Sequence, residues 1–280
     1  MTFAVLQRIF MEAFAAVLLL ILSAQLGFSQ NSPGARAAAM GGAYLVMHDV
    51  WSSLHNQGGL VYLDGISAGV FYENRFGLTE LSDRGAVVAM PVGNSAFGLS
   101  YHTFGYSSFS TSKTSLAYAL KLTDKFSFGL QFNYHNTRIA ENYGKASSLS
   151  VEGGFLYKMN DRISLAGHIS NPNRARLSDF NDERIPTTLR IGVGYRFSER
   201  VILTGEIRKA SDATPSLRAG VEYIIVEQFA LRAGFGSTPA QYSFGFGWKL
   251  KTFQLDVATG YHIVLGFTPQ LSLTYAVGKK

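Results

Sequence analysis

The chain has 280 residues, of which 47% are hydrophobic, 13% aromatic and 16% charged, and it contains no cysteine. A charged fraction well below the roughly 25% of soluble domains, with abundant glycine and aromatic residues, excludes a disordered protein and a coiled coil. The absence of cysteine excludes a disulfide scaffold and a thiolate zinc site. The net charge of +6 comes from scattered basic residues, so we expect no nucleic acid as a partner.

Residues 1–29 have the composition of a secretory signal peptide. Arg8 supplies a positive charge before the apolar run 13–22, and the small residue Ser29 follows at a suitable cleavage position. A transmembrane helix is the alternative, but it needs about 20 apolar residues and this run is shorter. We therefore predict an exported protein that uses β-strands for any membrane insertion.

From residue 64 onward, short runs alternate between apolar and polar residues. In Phe126–His135, aromatic and leucine side chains occupy the even positions, and small or polar residues occupy the odd ones. This period of two indicates a β-strand. Fourteen such runs are found, near residues 65–73, 85–92, 95–104, 113–122, 125–136, 148–158, 162–169, 187–197, 200–209, 216–225, 228–236, 241–250, 253–261 and 269–277.

The links between these runs alternate in length. Long links such as Ser170–Pro186 follow odd-numbered runs, and tight turns such as Gly93-Asn94 follow even-numbered ones. Alternation of this kind is typical of outer-membrane barrels. Large aromatic residues near the run ends fit an interfacial girdle: Tyr157, Phe197, Phe229, Trp248, Phe253 and Tyr275.

The sequence therefore predicts an all-β fold, a 14-stranded antiparallel transmembrane β-barrel formed by residues 64–280. A soluble β-sandwich or a propeller would show a similar alternation. The glycine-rich polar face and the runs of about 10 residues favour the membrane barrel.

Residues 30–63 do not alternate and are predicted to form a short helical N-terminal plug in the lumen. Ala35–Met40 and Tyr44–Leu54 have the pattern of helical turns, interrupted by Gly41-Gly42 and ended by Gly58-Gly59. A periplasmic tail is the alternative, which the many apolar residues disfavour. The candidate plug residues are Arg36, Met40, Gly41, Gly42, Trp51 and Asn56.

Charged residues of both signs lie on the polar face of the later strands and are predicted to form a network in the lumen. Its members are Glu152, Arg190, Arg196, Glu206, Arg218, Glu222, Arg232 and Asp256, with Lys158, Arg208 and Lys249 on the same face. A stabilising polar ladder is the simpler interpretation, and a selectivity filter is the alternative. We expect Arg36 to pair with Glu206 or Glu222, and Asn56 to fix the plug to the wall.

The sequence predicts a noncatalytic protein without metal or cofactor. Neither an HExxH sequence nor a P-loop occurs. His48, Asp49 and His55 lack a suitably spaced further ligand for a metal. The remaining histidines near the long links fit polar rim residues better than a catalytic triad: His102, His135 and His262.

Two stretches resemble the PorV/PorQ family. Gly34-Ala35-Arg36, Met40-Gly41-Gly42-Ala43, Asp49 and His55–Leu60 are similar to its N-terminal signature GAR…MGGA…D…NPAGL, with Gln57-Gly58 in place of Pro-Ala. A second set of segments resembles the closing strands of the family: Pro186–Arg190, Ser216–Tyr223 and Ala230–Phe235.

The resemblance implies a FadL-like, fourteen-stranded, plugged barrel in the outer membrane of a Gram-negative bacterium of the Bacteroidetes. It also implies an accessory role in type IX protein secretion, with outer-membrane lipids and with secretion components or cargo domains as partners. The alternative function is a FadL-like transporter or channel for small hydrophobic compounds. That function would require an apolar pocket among Met40, Leu45, Trp51 and Leu54. A structural barrel without transport is the third alternative.

Overall fold

The computed structural model describes residues 32–139, 145–176 and 184–277. The predicted signal peptide, residues 1–29, lies outside the described residues. Within them, fourteen antiparallel strands form a closed barrel in which β1 pairs with both β2 and β14. The strands are β1 (Ser67–Asn74), β2 (Ser82–Val92), β3 (Ser95–Gly105), β4 (Phe109–Lys121), β5 (Phe126–Ile139), β6 (Lys145–Lys158), β7 (Ile163–Ser170), β8 (Thr188–Arg196), β9 (Val201–Ala210), β10 (Ser216–Val226), β11 (Phe229–Ser237), β12 (Ala240–Leu250), β13 (Phe253–His262) and β14 (Gly266–Ala276).

The fourteen predicted runs all correspond to strands, but some strands are longer than the alternation indicated. β4 begins at Phe109 and β6 at Lys145, and β5 continues to Ile139. Much of the predicted links 105–112 and 137–147 is therefore strand. Half of the residues in these extensions are Ser or Thr, so the backbone ladder continues where the apolar alternation has ended.

The exterior of the barrel is apolar and its interior is polar. On β5, Leu130 and Phe132 point outward and are 46% and 63% exposed, whereas Gln131 and Asn133 point inward and are almost fully buried. Aromatic residues cluster on the outside at the short-turn end, where, for example, the rings of Phe229 and Trp248 stack with centroids 6.1 Å apart. This arrangement reverses that of a soluble barrel and matches a barrel surrounded by lipid.

The segment from Ser32 to Tyr62 lies inside the barrel, and we refer to it as the plug. It contains two short helices, α1 (Ala35–Ala39) and α2 (Ser52–His55), and a 3₁₀ helix, Gln57–Tyr62. No helix in the described ranges is long and apolar enough to cross a membrane. The predicted helical turns over Tyr44–Leu54 are wrong for residues 44–51, which form non-helical turns.

The glycine pair expected to end that helical segment has a different role. Gly58 and Gly59 lie within the 3₁₀ helix and do not terminate a helix. The break comes earlier, at Asn56, whose backbone is extended and whose side chain accepts a hydrogen bond from the Gly58 amide. Asn56 therefore ends α2 and caps the 3₁₀ helix.

Candidate functional site

The plug backbone touches the barrel wall where inward-facing wall residues are glycine. A Cβ atom built on Gly234 would lie 2.0 Å from the Gly41 amide nitrogen, and one on Gly41 would lie 2.7 Å from the Phe235 nitrogen. Gly41 also has a φ of +64°, which favours glycine. Other wall glycines that face the plug at close range are Gly69, Gly98, Gly129, Gly154, Gly192, Gly194, Gly220 and Gly245. The plug is therefore seated directly on the wall.

The plug runs through the lumen from one end towards the other. Ser32 shares a cavity with Thr238 and Pro239, which connect β11 to β12 at the long-loop end. Tyr62 shares another cavity with Lys251 and Phe253, next to the tight turn between β12 and β13. Any solute that crosses the lumen must therefore pass the plug or displace it.

A largely buried network of five charged residues connects the plug to three strands. Arg36 of α1 donates two hydrogen bonds to Glu222, at 2.8 and 2.6 Å, and one to Asp49, at 2.9 Å. Arg232 donates to Glu222 at 2.6 Å and to Asp256 at 2.7 Å. Charges of opposite sign thus alternate from Asp49 to Asp256, and each arginine has two carboxylate partners.

Glu206, the other carboxylate expected near Arg36, belongs to a separate cluster. Arg190 donates two hydrogen bonds to Glu206, at 2.7 and 3.0 Å, and the Tyr44 amide donates a third at 3.3 Å. Arg190 also donates to the carbonyl oxygen of His55 at 3.3 Å. A further hydrogen bond from Arg190 to the Gly42 carbonyl oxygen, at 3.5 Å, means that the Arg190–Glu206 pair contacts the plug backbone at three points.

Glu152 is the centre of a third buried cluster. Its carboxylate accepts hydrogen bonds from Lys113 at 2.8 Å, from Asn133 at 3.1 Å and from Gln57 of the plug at 3.5 Å. His168 Nε2 lies 3.5 Å from the same carboxylate. Lys113, Asn133 and His168 were not among the candidate residues. The period-two alternation of their strands places all three side chains on the lumen-facing side and could have identified them.

The two remaining candidate charges lie in different places. Arg218 is buried and donates to Ser32 of the plug at 3.4 Å. Arg196 is exposed at the short-turn rim and lines a cavity that Arg36 and Glu222 also line, without contacting either of them in the hydrogen bonds described above. The predicted single network is therefore a set of separate clusters with Arg196 apart from them.

A fourth charged cluster was missed by sequence reasoning. Arg75 donates to Glu73 at 2.6 Å and lies 3.5 Å from Asp83, whose carboxylate is 3.6 Å from His102. Glu73 and Asp83 flank the link between β1 and β2, so the sequence did not assign their side chains to a face. Their pairing in register across β1 and β2 brings them together.

Asn56 fixes the plug to the wall through its amide group. Its Nδ2 donates to the carbonyl oxygens of Leu45, at 2.8 Å, and Phe155, at 3.0 Å.

Replacing Asn56 with alanine would leave both carbonyl oxygens without this donor. We expect Asn56→Ala to lower the free energy of unfolding by about 1–3 kcal/mol, measured by chemical denaturation in detergent. Unchanged stability would show that the amide does not hold the plug.

The two plug histidines differ in exposure. His55 is buried, and its Nε2 lies 2.8 Å from the Pro33 carbonyl oxygen. His48 is exposed, and its ring lies against that of Tyr62 with a centroid distance of 5.7 Å. Among the residues that the structure describes, no group of three His, Cys, Asp or Glu is placed to bind a metal.

One serine has the spacing of a hydrolase nucleophile without its geometry. Gly65–Gly69 reads G-x-S-x-G, but its serine, Ser67, begins β1 and does not stand on a strand-to-helix turn. The Ser67 hydroxyl donates to the Gly65 carbonyl oxygen at 3.1 Å. This arrangement is that of a structural serine.

The apolar plug residues pack against the wall. Met40, Leu45 and Trp51 are at most 1% exposed, and Leu54 lines a cavity with mainly polar and charged walls. A different cavity, of about 810 Å³, opens at the short-turn end. It has an apolar part and a basic part, formed by Val46, Met47, Ile202, Ile224, Lys158 and Arg196.

The closed ring of strands, its apolar exterior and the segment that runs through its lumen define the chain as a plugged fourteen-stranded β-barrel. No protein-family model matches the sequence, and no curated protein matches it. Solved structures of low sequence identity share the fold, which is that of the FadL-like barrels.

Three of these structures have the following similarity to the chain, each at 12% sequence identity. A Pseudomonas aeruginosa FadL homologue has a TM-score of 0.70, with 89% of this chain and 99% of that chain covered. The CymD monoaromatic hydrocarbon channel has a TM-score of 0.71, with 90% and 100% covered. The Pseudomonas putida toluene transporter TodX has a TM-score of 0.69, with 90% and 99% covered.

Proposed function

We propose that the chain spans the outer membrane of a Gram-negative bacterium and acts as a noncatalytic, plug-gated channel for small hydrophobic compounds. The observation that carries this proposal is the plugged FadL-like fold, which extends over about 90% of the chain and is shared with hydrocarbon channels. The apolar exterior supports membrane insertion. The partly apolar cavity beneath the plug supports a passage towards the short-turn end, which we assign to the periplasm.

Passage in this proposal requires the plug to move, because plug and wall are in direct contact. A reversible lock can test this step. Val46 Cβ lies 3.3 Å from the position that a Cβ on Gly194 would occupy, close to the 3.5–4.5 Å of a disulfide. Since the chain has no cysteine, a Val46→Cys/Gly194→Cys double variant would contain this pair alone.

The experiment measures uptake of a monoaromatic hydrocarbon by cells that carry the double variant in the outer membrane. We expect uptake above that of cells without the protein when the disulfide is reduced, and background uptake when it is oxidised. Each single-cysteine variant controls for the oxidant. Uptake at background level in both states, with correctly folded protein, would contradict the channel function.

The second candidate is the PorV/PorQ-type accessory role in type IX secretion, through protein docking. Besides the sequence resemblance, the tip of the β13–β14 hairpin favours it, because Ile263, Val264 and Leu265 are 63%, 69% and 52% exposed. Exposed apolar patches often mark interaction sites. Affinity capture from mildly solubilised outer membranes should recover secretion components or cargo domains, and a triple serine variant at this tip should lose them.

A further inference from the structure

The cavity of about 810 Å³ at the short-turn end has two chemically different sides, and we refer to it as the short-turn cavity. Its basic side contains Lys158, at the end of β6, and Arg196, at the end of β8. Two plug residues and two wall residues form its apolar side: Val46, Met47, Ile202 and Ile224. Because the cavity opens at the short-turn end, a solute can enter it without displacing the plug.

The two isoleucines depart from the polar character of the lumen. Ile202 and Ile224 both point inward, and both are half-buried. The next three inward positions of the same strands are polar or glycine: Thr204, Glu206 and Arg208 on β9, and Glu222, Gly220 and Arg218 on β10. A partly exposed apolar surface inside an otherwise polar lumen is typical of a site that binds an apolar group.

The lining of the short-turn cavity carries more positive than negative charge. Five cations and three carboxylates line it: Arg36, Lys125, Lys158, Arg162 and Arg196, with Asp124, Asp161 and Glu222. Arg36 is bound to Glu222, and Asp124 pairs with Lys121 at 2.8 Å. Among the described residues, neither Lys158 nor Arg196 forms a salt bridge, and Lys158 Nζ lies 3.5 Å from the centroid of the Tyr62 ring. Both cations are therefore available to an anionic ligand.

The stretches outside the described ranges add no carboxylate at this end of the barrel. The two internal gaps, 140–144 and 177–183, belong to the long links that follow β5 and β7, at the opposite end. Residues 278–280 follow β14 at the short-turn end and contain two lysines and no acidic residue. The stretch 1–31 has one acidic residue, Glu12, within the predicted signal peptide.

The basic and apolar sides adjoin each other in the strand register. Arg196 is the direct partner of Ile202 across β8 and β9, and Ile224 lies on the next strand. Adjacent strands are about 4.8 Å apart, so the strand that carries Ile224 is about 10 Å from Arg196. Lys158, two strands away on the other side, is repelled by the charge of Arg196. An anionic group between the two cations would relieve this repulsion and place the rest of the ligand beside the isoleucines.

We infer that the short-turn cavity binds compact aromatic carboxylates, with the carboxylate between Lys158 and Arg196 and the ring against Ile202 and Ile224. The guanidinium group matches the geometry of a carboxylate, and both guanidinium and thioether groups, here Arg196 and Met47, interact favourably with aromatic rings. A long acyl chain does not fit this site, because polar inward residues follow the isoleucines. As a statement about transported compounds, the inference rests on the proposed channel function, whereas binding does not.

The measurement is equilibrium dialysis of radiolabelled phenylpropanoate with the protein in nanodiscs of zwitterionic phospholipid, at neutral pH and constant ionic strength. Empty nanodiscs give the background. Phenylpropanol has the same ring without the charge, and acetate has the charge without the ring. We expect saturable binding of phenylpropanoate, and binding of both comparison ligands that is at least about tenfold weaker. This comparison uses the wild-type protein and does not depend on the folding of a variant.

Arg196→Met tests the basic side of the cavity. Arg196 is exposed, so we expect the variant to fold and to keep its heat-modifiable migration. The dissociation constant of phenylpropanoate should rise at least about fivefold. Arg200→Met is the matched control, because Arg200 is also exposed at the short-turn end but does not line the cavity, and it should bind as the wild type does. Ile224→Ser tests the apolar side and should weaken the binding of phenylpropanoate at least about threefold.

Three results would overturn the inference. They are the absence of saturable binding above empty nanodiscs, binding of phenylpropanol or acetate as tight as that of phenylpropanoate, and the same affinity in the wild type and folded Arg196→Met. The site and the channel function fail separately. Binding without hydrocarbon uptake would contradict the channel alone, and hydrocarbon uptake without binding would contradict this site alone.

Discussion

Arg36→Met is expected to destabilise the folded barrel by about 3–5 kcal/mol. Arg36 provides three hydrogen bonds to Glu222 and Asp49. Its removal would leave Asp49 without its cationic partner and Glu222 with Arg232 alone. The loss is costly chiefly at Glu222, whose carboxylate is 3% exposed, because the solvation that it lost on burial is then compensated by one cation and not by two.

The loss can be measured as a lower midpoint in guanidinium unfolding and as a lower temperature at which heat-modifiable gel migration is lost. Arg84→Met is the matched control, because Arg84 is exposed on β2 and should change stability by less than about 0.5 kcal/mol. A double variant, Arg36→Met with Glu222→Gln, should recover part of the loss. Equal stability of Arg36→Met and the wild type would refute the proposed role of the network.

Gly234→Ala is expected to displace the plug from the wall while the ring of strands remains closed. The added Cβ would lie 2.0 Å from the Gly41 nitrogen and 2.3 Å from the Met40 carbonyl carbon, both of which are backbone atoms. Backbone cannot move aside as a flexible side chain can. We expect docking of the plug against the wall to become less favourable by about 3 kcal/mol or more, at the upper end of overpacking effects.

Limited trypsin digestion can detect this displacement. Arg36 is partly buried when the plug contacts the wall, so displacement of the plug should increase cleavage after Arg36. Gly236→Ala is a control on the same strand, since the nearest atom to its added Cβ is 3.9 Å away. Cleavage should rise in Gly234→Ala and stay at the wild-type level in Gly236→Ala. The same rate in both variants would mean that the contact at Gly41 does not hold the plug.

The number of strands and their faces could be predicted because each side of the wall meets a different environment. Alternation such as that of Phe126–His135 follows from a lipid-facing side and a lumen-facing side. The alternation ends where a strand leaves the apolar band, so the ends of β4, β5 and β6 were not predicted. The non-helical turns of residues 44–51 have no period at all, because plug contacts with the wall determine their backbone.

The partners within the site were harder to predict than its members. The period of two predicts that the side chains of Glu222 and Glu206 point into the lumen. It does not predict the position of each side chain along the barrel axis. That position depends on the strand register, which places Glu222 next to Arg36 and Glu206 next to Arg190. The direct pairing of Arg196 with Ile202 depends on the β8–β9 register in the same way.

Closure of the ring by β1 and β14 has a consequence for the order of assembly. These strands pair from Ser67 opposite Ala276 to Glu73 opposite Gln270, and Ser67 follows the plug within five residues of Tyr62. A closed ring would have to be threaded end-on by a segment that carries Trp51, whereas an open sheet can curl around it. We therefore expect the plug to serve as the template on which the sheet curls, and the seam between first and last strands to form last.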